Sequence, residues 1–379
     1  MTCYPPSIRG DQCRETRRAY TFTRCGLILI GDFLDIREIA RRAKVSTATV
    51  SRTINRVPTV APHLAKRIWK VIEEVGYYPD TQARGLVSGR SRIFGLIVSE
   101  ITNPFFPEIV QVFENIAVQH DYEILVSSTV HDPERMKLSV RRMIERRVEG
   151  VAVMTFGMED VLLEDLRFRK IPLVFVDVGP AAPRVNTICV DYRRGLRQAV
   201  QHLAALRHQQ IAFVSGPLSL KSALARQSAF LQSMKEIGLT VRKDLLVEGN
   251  HTMEGGMAAM EKILKSPRRP TAVVCSNDMT AIGVMRKCHE KGLVVPHDIS
   301  IIGFDDIRLA QFIIPALTTV QMSQSELARL AFDALFTEVQ RKTPVPTGTE
   351  YNLPTSLVLR DSTALAPTAR RNRKSPPKS

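Results

Sequence analysis

Thr47, Ala48, Thr49, Ser51, Arg52 and Asn55 bring small hydroxyls, one amide and one guanidinium into the nine-residue stretch TATVSRTIN. At helical spacing these residues fall on the side away from Val50 and Ile54, so one face is polar and short-chained while the other is apolar. Short polar groups around one planar arginine fork suit the major groove of DNA, where an arginine bridges O6 and N7 of a guanine. No comparable set supports catalysis. The paired carboxylates Glu73-Glu74 and Asp305-Asp306 have no partner group at a recognised spacing, and the chain has neither a phosphate-cradling loop nor a G-x-S-x-G nucleophile turn. The expectation is no catalytic residue and no enzyme. Six cysteines without a C-x-x-C pair or a histidine at metal-ligand spacing predict reduced thiols, no metal and no cofactor.

The polar face needs a frame. Ile36, Ile39, Ala40 and Ala43 recur at helical spacing behind Asp35, an N-cap with Glu38 three residues on, as in a capping box. Lys44-Val45-Ser46 breaks the pattern, and Ser46 is placed to cap a second helix running from Thr47 to Asn55. Two such helices bury Ile39, Val45, Val50 and Ile54 between them and form a helix-turn-helix. A plain structural hairpin would share that pattern. A third apolar-periodic segment with Pro62 near its start (Ile68, Val71, Ile72, Val75) follows, then Gly76-Tyr77-Tyr78-Pro79-Asp80 and Ala83-Arg84-Gly85-Leu86.

Beyond Ile93, short β-branched runs alternate with helix-length amphipathic stretches. IFGLIV, YEILVS, GVAVMT and PLVFVD form one series; TICVD, IAFVSG, LLVEG, TAVVCS and ISIIGFD form another. Apolar strands alternating with helices imply parallel sheets covered on both faces, and two series imply two lobes. In doubly wound folds ligands sit beyond the carboxyl ends of the strands. The charge is distributed accordingly. Residues 31–91 hold 11 Lys and Arg against 6 Asp and Glu, whereas residues 92–359 hold 31 against 29. A basic headpiece on a near-neutral body fits a chain that neutralises phosphates with one part and binds something small with the other. No apolar run reaches the length of a membrane span, and Leu27 to Ile30 is too short for a signal-peptide core, so a cytoplasmic protein is expected.

The order I-x-x-I-A-x-x-A-x-V-S-x-x-T-V-S-R-x-I-N, followed by G-Y-x-P and A-R-x-L, resembles the DNA-binding headpiece and hinge of the lactose-repressor (LacI/GalR) family of bacterial transcription regulators. The resemblance covers roughly nine tenths of the chain. It implies a small all-α helix-turn-helix headpiece over residues 35–80, a hinge over 81–92, and an α/β body over 93–360. The body would comprise two doubly wound lobes of the type I periplasmic-binding-protein kind. Residues 1–34 fit no motif and are expected as a flexible arm or an upstream extension; 361–379 read as a basic disordered tail.

By the same resemblance, Ser46, Thr47, Ala48, Thr49, Ser51, Arg52 and Asn55 face a palindromic operator, and Leu86 enters its minor groove. Strand-end segments matching the family's effector pocket place Phe105, Phe106, Arg226, His251, Asn277 and Asp305 around a small ligand. An arginine, an amide and a carboxylate supply a donor, a two-way group and an acceptor, the inventory for several hydroxyls of one sugar. There are departures: His251 stands where relatives often place an aromatic ring, Tyr192 replaces a frequent Asn, and Lys44 holds a turn position often Gly or Asn. A purine would want a sandwich with a better second face than His251, so a sugar or sugar derivative is expected. Lys221 near Arg226 leaves an acidic sugar as an option. The resulting expectation is a dimeric, sugar-responsive repressor. The alternatives are a solute-binding protein of a transport system, which would have no use for residues 35–90, and an enzyme on the same two lobes, which would need a catalytic dyad in the cleft.

Overall fold

The computed structural model describes residues 35–55, 57–77, 90–155, 164–166, 168–177, 182–341, 343 and 347–367. The expectations for residues 1–34, for Leu86 with most of the hinge, and for most of the helix read over 158–169 lie outside them. The chain divides into two units, residues 1–88 and 89–379.

In the first unit, α1 (Ile36–Arg42), α2 (Thr47–Ile54) and α3 (Pro62–Val75) close around Ile39, Ala43, Val50, Ile54, Ile68 and Ile72. Burial of each Ile or Val contributes about 1.5–3 kcal/mol, the main stabilisation open to so short a segment. Val45, expected inside this core, is half-buried against it. Asp35 caps α1 by accepting from the backbone N–H of Arg37 and Glu38 at 2.8 and 3.0 Å. The reciprocal half of the capping box does not form. The Glu38 carboxylate instead takes Arg41 Nη2 and Arg42 Nε, both at 2.6 Å, and these two guanidiniums hold it down to about 2. Two cations on the following turn outcompete a neutral backbone N–H. Ser46 Oγ accepts from Thr49 N at 3.1 Å as expected of the second cap. Between the helices Lys44 takes a φ of 50°, the left-handed conformation that turns the chain. Gly76, at φ 63°, ends α3 with its N–H on Glu73 O.

The second unit has two six-stranded sheets. The first carries β1 (Ile93–Val98), β2 (Glu123–Ser128), β3 (Gly150–Met154), β4 (Leu173–Val176), β5 (Val185–Asp191) and β11 (Glu350–Pro354) in the order β11-β5-β4-β3-β1-β2. The second carries β6 (Ile211–Ser215), β7 (Leu246–Glu248), β8 (Ala272–Cys275), β9 (Ser300–Asp305), β10 (Thr318–Gln321) and β12 (Ser356–Val358) in the order β12-β10-β9-β8-β6-β7. The helices are α4 (Phe105–Gln119) and α5 (Pro133–Glu145), then α6 (Tyr192–Ala205), α7 (Lys221–Glu236), α8 (Met253–Ile263), α9 (Asp278–Glu290) and α10 (Gln324–Gln340). Continuous apolar runs such as IFGLIV are central strands: β1 lies between β2 and β3 in parallel register, with Leu96 opposite both Val126 and Ala152.

Two expectations need correction. The run TICVD belongs to the first lobe, because β5 pairs in parallel with β4 and β11. An apolar strand looks the same whichever sheet it joins. The sheets are also not wholly parallel, since β12 runs antiparallel to β10. Thr355 alone separates β11 from β12, and the two strands join different sheets.

The chain crosses between lobes three times, at Asp191, near Met322 and at Thr355. Thr355 Oγ1 donates to Asp191 O at 2.6 Å and accepts from Gly195 N at 2.9 Å, tying two crossings together. The tail starts later than expected. Ser362 is fully buried and hydrogen-bonds to Ile301 O at 2.6 Å, and Ala366 N donates to Leu206 O, so residues 361–366 belong to the second lobe. No helix among the described residues is long and apolar enough to cross a membrane.

Candidate functional site

Two surfaces gather the residues singled out by chemistry. On the headpiece, Ser46, Thr47, Ala48, Arg52 and Asn55 are exposed, and Thr49 and Ser51 partly so, along one side of α2. Val50, Thr53 and Ile54 are buried on the other side. Ser46 Oγ lies 2.9 Å from Thr49 Oγ1, and Asn55 Nδ2 donates weakly to Ser51 Oγ at 3.4 Å. Their contacts are thus with one another and exchangeable. Glu38 occupies Arg41 and Arg42, whereas Arg52 has no ion pair among the described residues. A guanidinium standing free on an exposed helix face keeps its five donors for a partner.

The second surface lies between the lobes. A cavity of about 180 Å³ is lined by all six residues expected around a ligand: Phe105, Phe106, Arg226, His251, Asn277 and Asp305. Phe105 and Phe106 come from the first turn of α4, edge to face with centroids 5.3 Å apart, and Asn103 Oδ1 fixes that turn by accepting from Phe105 N at 3.1 Å. Across the cleft, α7 carries Arg226, β9 ends in Asp305, and α9 begins behind Asn277. A wider, shallower groove along the outer side of α7, past Leu224 and Leu231, holds none of these residues.

Arg226 is buried and partly engaged. Its Nη1 donates to Ser276 O at 2.5 Å, and its Cζ stands 4.2 Å from the ring centre of Phe304 and 5.2 Å from that of Tyr192. Its Nη2 is 3.4 Å from Asp305 Oδ1. That approach is too long to compensate for burial, and desolvation pushes the Asp305 carboxyl up to about 7 against the opposing pull of Arg226. Arg226 Nε, Asp305 Oδ1 and Ser99 Oγ are closed off from solvent without a hydrogen-bond partner among the described residues. Buried polar groups are nearly always paired, so this cavity wall is short of partners.

Asn277 is less free than its type implies. Its Oδ1 caps α9 by accepting from Thr280 N at 2.9 Å, and its Nδ2 donates to His251 O at 3.0 Å. It serves mainly to hold His251, which sits at φ 64°. The imidazole edge rests on Gly216, where an added Cβ would lie 1.9 Å from Nε2. Burial, reinforced by the charge of Arg226, lowers this histidine to about 3, so it is neutral near pH 7.

Sequence reasoning missed several supports. Tyr192 is a wall beneath Arg226: its hydroxyl donates to Asp177 Oδ2 at 2.5 Å, and Asp177 Oδ1 accepts from Val190 N. Phe304 and Tyr192 were visible as aromatics beside strand-end aspartates, but no local pattern marks a ring that a distant guanidinium will cover. Asp278, adjacent to Asn277, faces the core, accepting from Thr319 Oγ1 and Ile307 N. Lys221 is exposed and does not line the cavity.

Comparison with known proteins agrees with this division. Residues 35–80 match the lacI family of bacterial regulatory proteins, and residues 200–363 match a periplasmic binding protein-like domain. The chain is 34% identical over 314 residues to the HTH-type transcriptional repressor PurR of Glaesserella parasuis serovar 5 (strain SH0165), covering 82% of this chain and 92% of the relative. Its fold is similar to that of the lac repressor dimer bound to operator and the anti-inducer ONPF, with a TM-score of 0.77, 29% identity, and coverage of 87% and 99% of the two chains. It is similar also to a LacI family transcriptional regulator from Enterococcus faecium with bound ribose, at a TM-score of 0.63, 28% identity, and coverage of 72% and 99%. With a helix-turn-helix bearing a polar outer face, two sheets enclosing a ligand-sized cleft, and these likenesses along most of its length, this chain belongs to the lacI family of bacterial regulatory proteins and is a DNA-binding transcription regulator, not an enzyme.

Proposed function

We propose that the protein is a cytoplasmic, homodimeric repressor whose affinity for a palindromic operator is set by one neutral sugar or sugar derivative held between the two lobes. The observation that carries the effector reading is the set of unpartnered groups around the cavity: a guanidinium N–H, a carboxyl oxygen and a hydroxyl beside two phenylalanine rings. Vicinal hydroxyls answer such mixed donors and acceptors, and a ring's apolar face answers the aromatics. The cavity lies below the ~300 Å³ at which drug-sized sites begin, which suits a single ring. Lys221 stands outside, and Arg226, the only lysine or arginine among the described residues of the lining, already gives Nη1 to Ser276 O and faces the Asp305 carboxyl, so a carboxylate or phosphate on the ligand would meet a single cation beside an acidic group. The relative with bound ribose supports the same class. A flat purine is disfavoured because the lining from the second lobe, with Arg226, Asn250, His251, Asn277 and Asp305, is mostly polar.

On the DNA side, the exposed residues of α2 are proposed to read the major groove. Leu86, outside the described residues, is proposed by resemblance alone to enter the minor groove at the centre of the site.

The test is a melting-temperature screen of the full chain against ribose, glucose and galactose, their uronates and phosphates, and the nucleobases. A neutral monosaccharide present at a hundred times its Kd should add about 2.7 kcal/mol by mass action. Stabilisation by nucleobases or sugar phosphates instead, with no response to neutral sugars, would discard the reading.

A further inference from the structure

Asp305 and Asp306 end β9 with φ values of 107° and 55°. Two consecutive non-glycine residues with positive φ are strained, and such strain persists only where the surroundings over-determine it. The surroundings here are specific. Asp306 Oδ1 accepts from Arg360 Nη2 at 2.7 Å and Oδ2 accepts from Gln321 Nε2 at 2.8 Å, so both oxygens are clamped. Arg360 is itself anchored, with Nη1 on Leu317 O at 2.9 Å and its backbone N–H on Thr318 Oγ1 at 3.0 Å. On the other side of the strained pair, Gln324 Nε2 donates to Asp305 O at 3.0 Å, and Ile307 N is held by Asp278. The Arg360 and Asp306 side chains are only 18% and 11% exposed, so solvent does not screen their ion pair as it would a surface pair.

Neither Arg360, Asp306 nor Gln321 lines the cavity, whereas Asp305 does. A twisted backbone gripped at the second aspartate fixes the direction of the first. We propose that Arg360, acting through Asp306 and assisted by Gln321, is a positioning residue of the cleft: it holds the β9 terminus in the twist that aims the Asp305 carboxyl at Arg226 and at a bound effector. Arg360 comes from beyond the third crossing, two residues past β12, so the segment that completes the second lobe also sets the geometry of its site. The inference rests on the cavity being the effector site only for its regulatory meaning; the geometric claim stands or falls separately.

The test reads Asp305 directly. The charged groups that act on or adjoin its carboxyl are Arg226 on α7, Asp278 on α9 and Asp306 beside it, while His251, before α8, lines the same cavity. Any change in its direction alters the balance between burial and Arg226 that governs its proton. Full-length protein labelled with carboxyl-¹³C aspartate, with Asp305→Asn used to assign the signal, is titrated as wild type, Arg360→Met and Gln321→Ala, with a melt of each to establish folding. The expected result is that the Asp305 protonation constant moves at least tenfold in Arg360→Met, and in the same direction but less in Gln321→Ala. An unchanged titration in folded Arg360→Met overturns the proposal. If Arg360→Met does not fold, Gln321→Ala, which leaves the C-terminal segment intact, decides in the same way. A failed sugar screen would remove the effector reading and leave this result untouched.

Discussion

Asp305 Oδ1 lies 3.4 Å from Arg226 Nη2, yet burial prevails and its carboxyl is pushed up to about 7. The folded state therefore holds a proton that the unfolded chain, near the ordinary value of 3.8, releases. The stability linked to that proton is fully present below pH ~4 and is lost as pH rises through about 7. Asp305→Asn removes this dependence. Between pH 5.5 and 8 the stability difference between variant and wild type should move in the variant's favour by about 2 kcal/mol. Urea unfolding of both proteins at the two pH values measures it, and a constant difference would contradict the buried, proton-holding carboxyl. His251 has the opposite sign, since its depressed value makes stability fall as pH drops through 6.5 toward 3, but it contributes equally to both proteins and cancels.

Arg52 is exposed on the outer face of α2 and carries no intramolecular ion pair among the described residues. Arg52→Ala should cost about 1 to 3 kcal/mol per half-site and relax preference at one base pair, while leaving salt-driven, non-specific binding nearly intact. Selection from a random duplex pool by both proteins gives the comparison. Identical consensus sequences would take Arg52 out of base readout.

Gly216 has room for the His251 ring only because it lacks a side chain. In Gly216→Ala the imidazole must shift toward the cavity, so the stabilisation conferred by a neutral monosaccharide identified in the melting screen should fall at least tenfold in apparent affinity. The fold itself should lose about 1 to 3 kcal/mol, the usual cost of overpacking. Adding His251→Ala to Gly216→Ala should restore stability, because the clash is gone. Isothermal titration and melts of the two variants check this; undiminished binding in Gly216→Ala would show that the ring has another place to go.

The parts of this fold legible in the sequence are those set by local chemistry. Asp35 and Ser46 cap helices as their types dictate, and strands such as IFGLIV were found within a residue of their ends. The six cavity residues lie together because they sit at strand ends or in the segments just after them, which the doubly wound rule points at one cleft. What was not legible depends on contacts distant in sequence. Nothing in TICVD says which sheet it joins, and Glu38 matched a capping box because its spacing to Asp35 is visible while its competition for Arg41 and Arg42 is not. The late strands β10, β11 and β12 and the helix α10 carry no alternating signal comparable to the earlier ones. The clamp on Asp306 required Arg360 to arrive from 54 residues downstream.

The triple crossing sets an order of events during synthesis. The first lobe acquires β1 to β5 by residue 191, but its covering helix α10 and its edge strand β11 emerge only with residues 324–354. At 5–20 residues per second, the buried faces of β3 and β4 and the open edge of β5 wait on the order of 10 s outside the ribosome. During that interval the half-built lobe exposes an unpaired parallel edge beside apolar surface, while the second lobe is made almost entirely in between. Fragments that stop between residues 191 and 350 should therefore aggregate where the full-length chain does not.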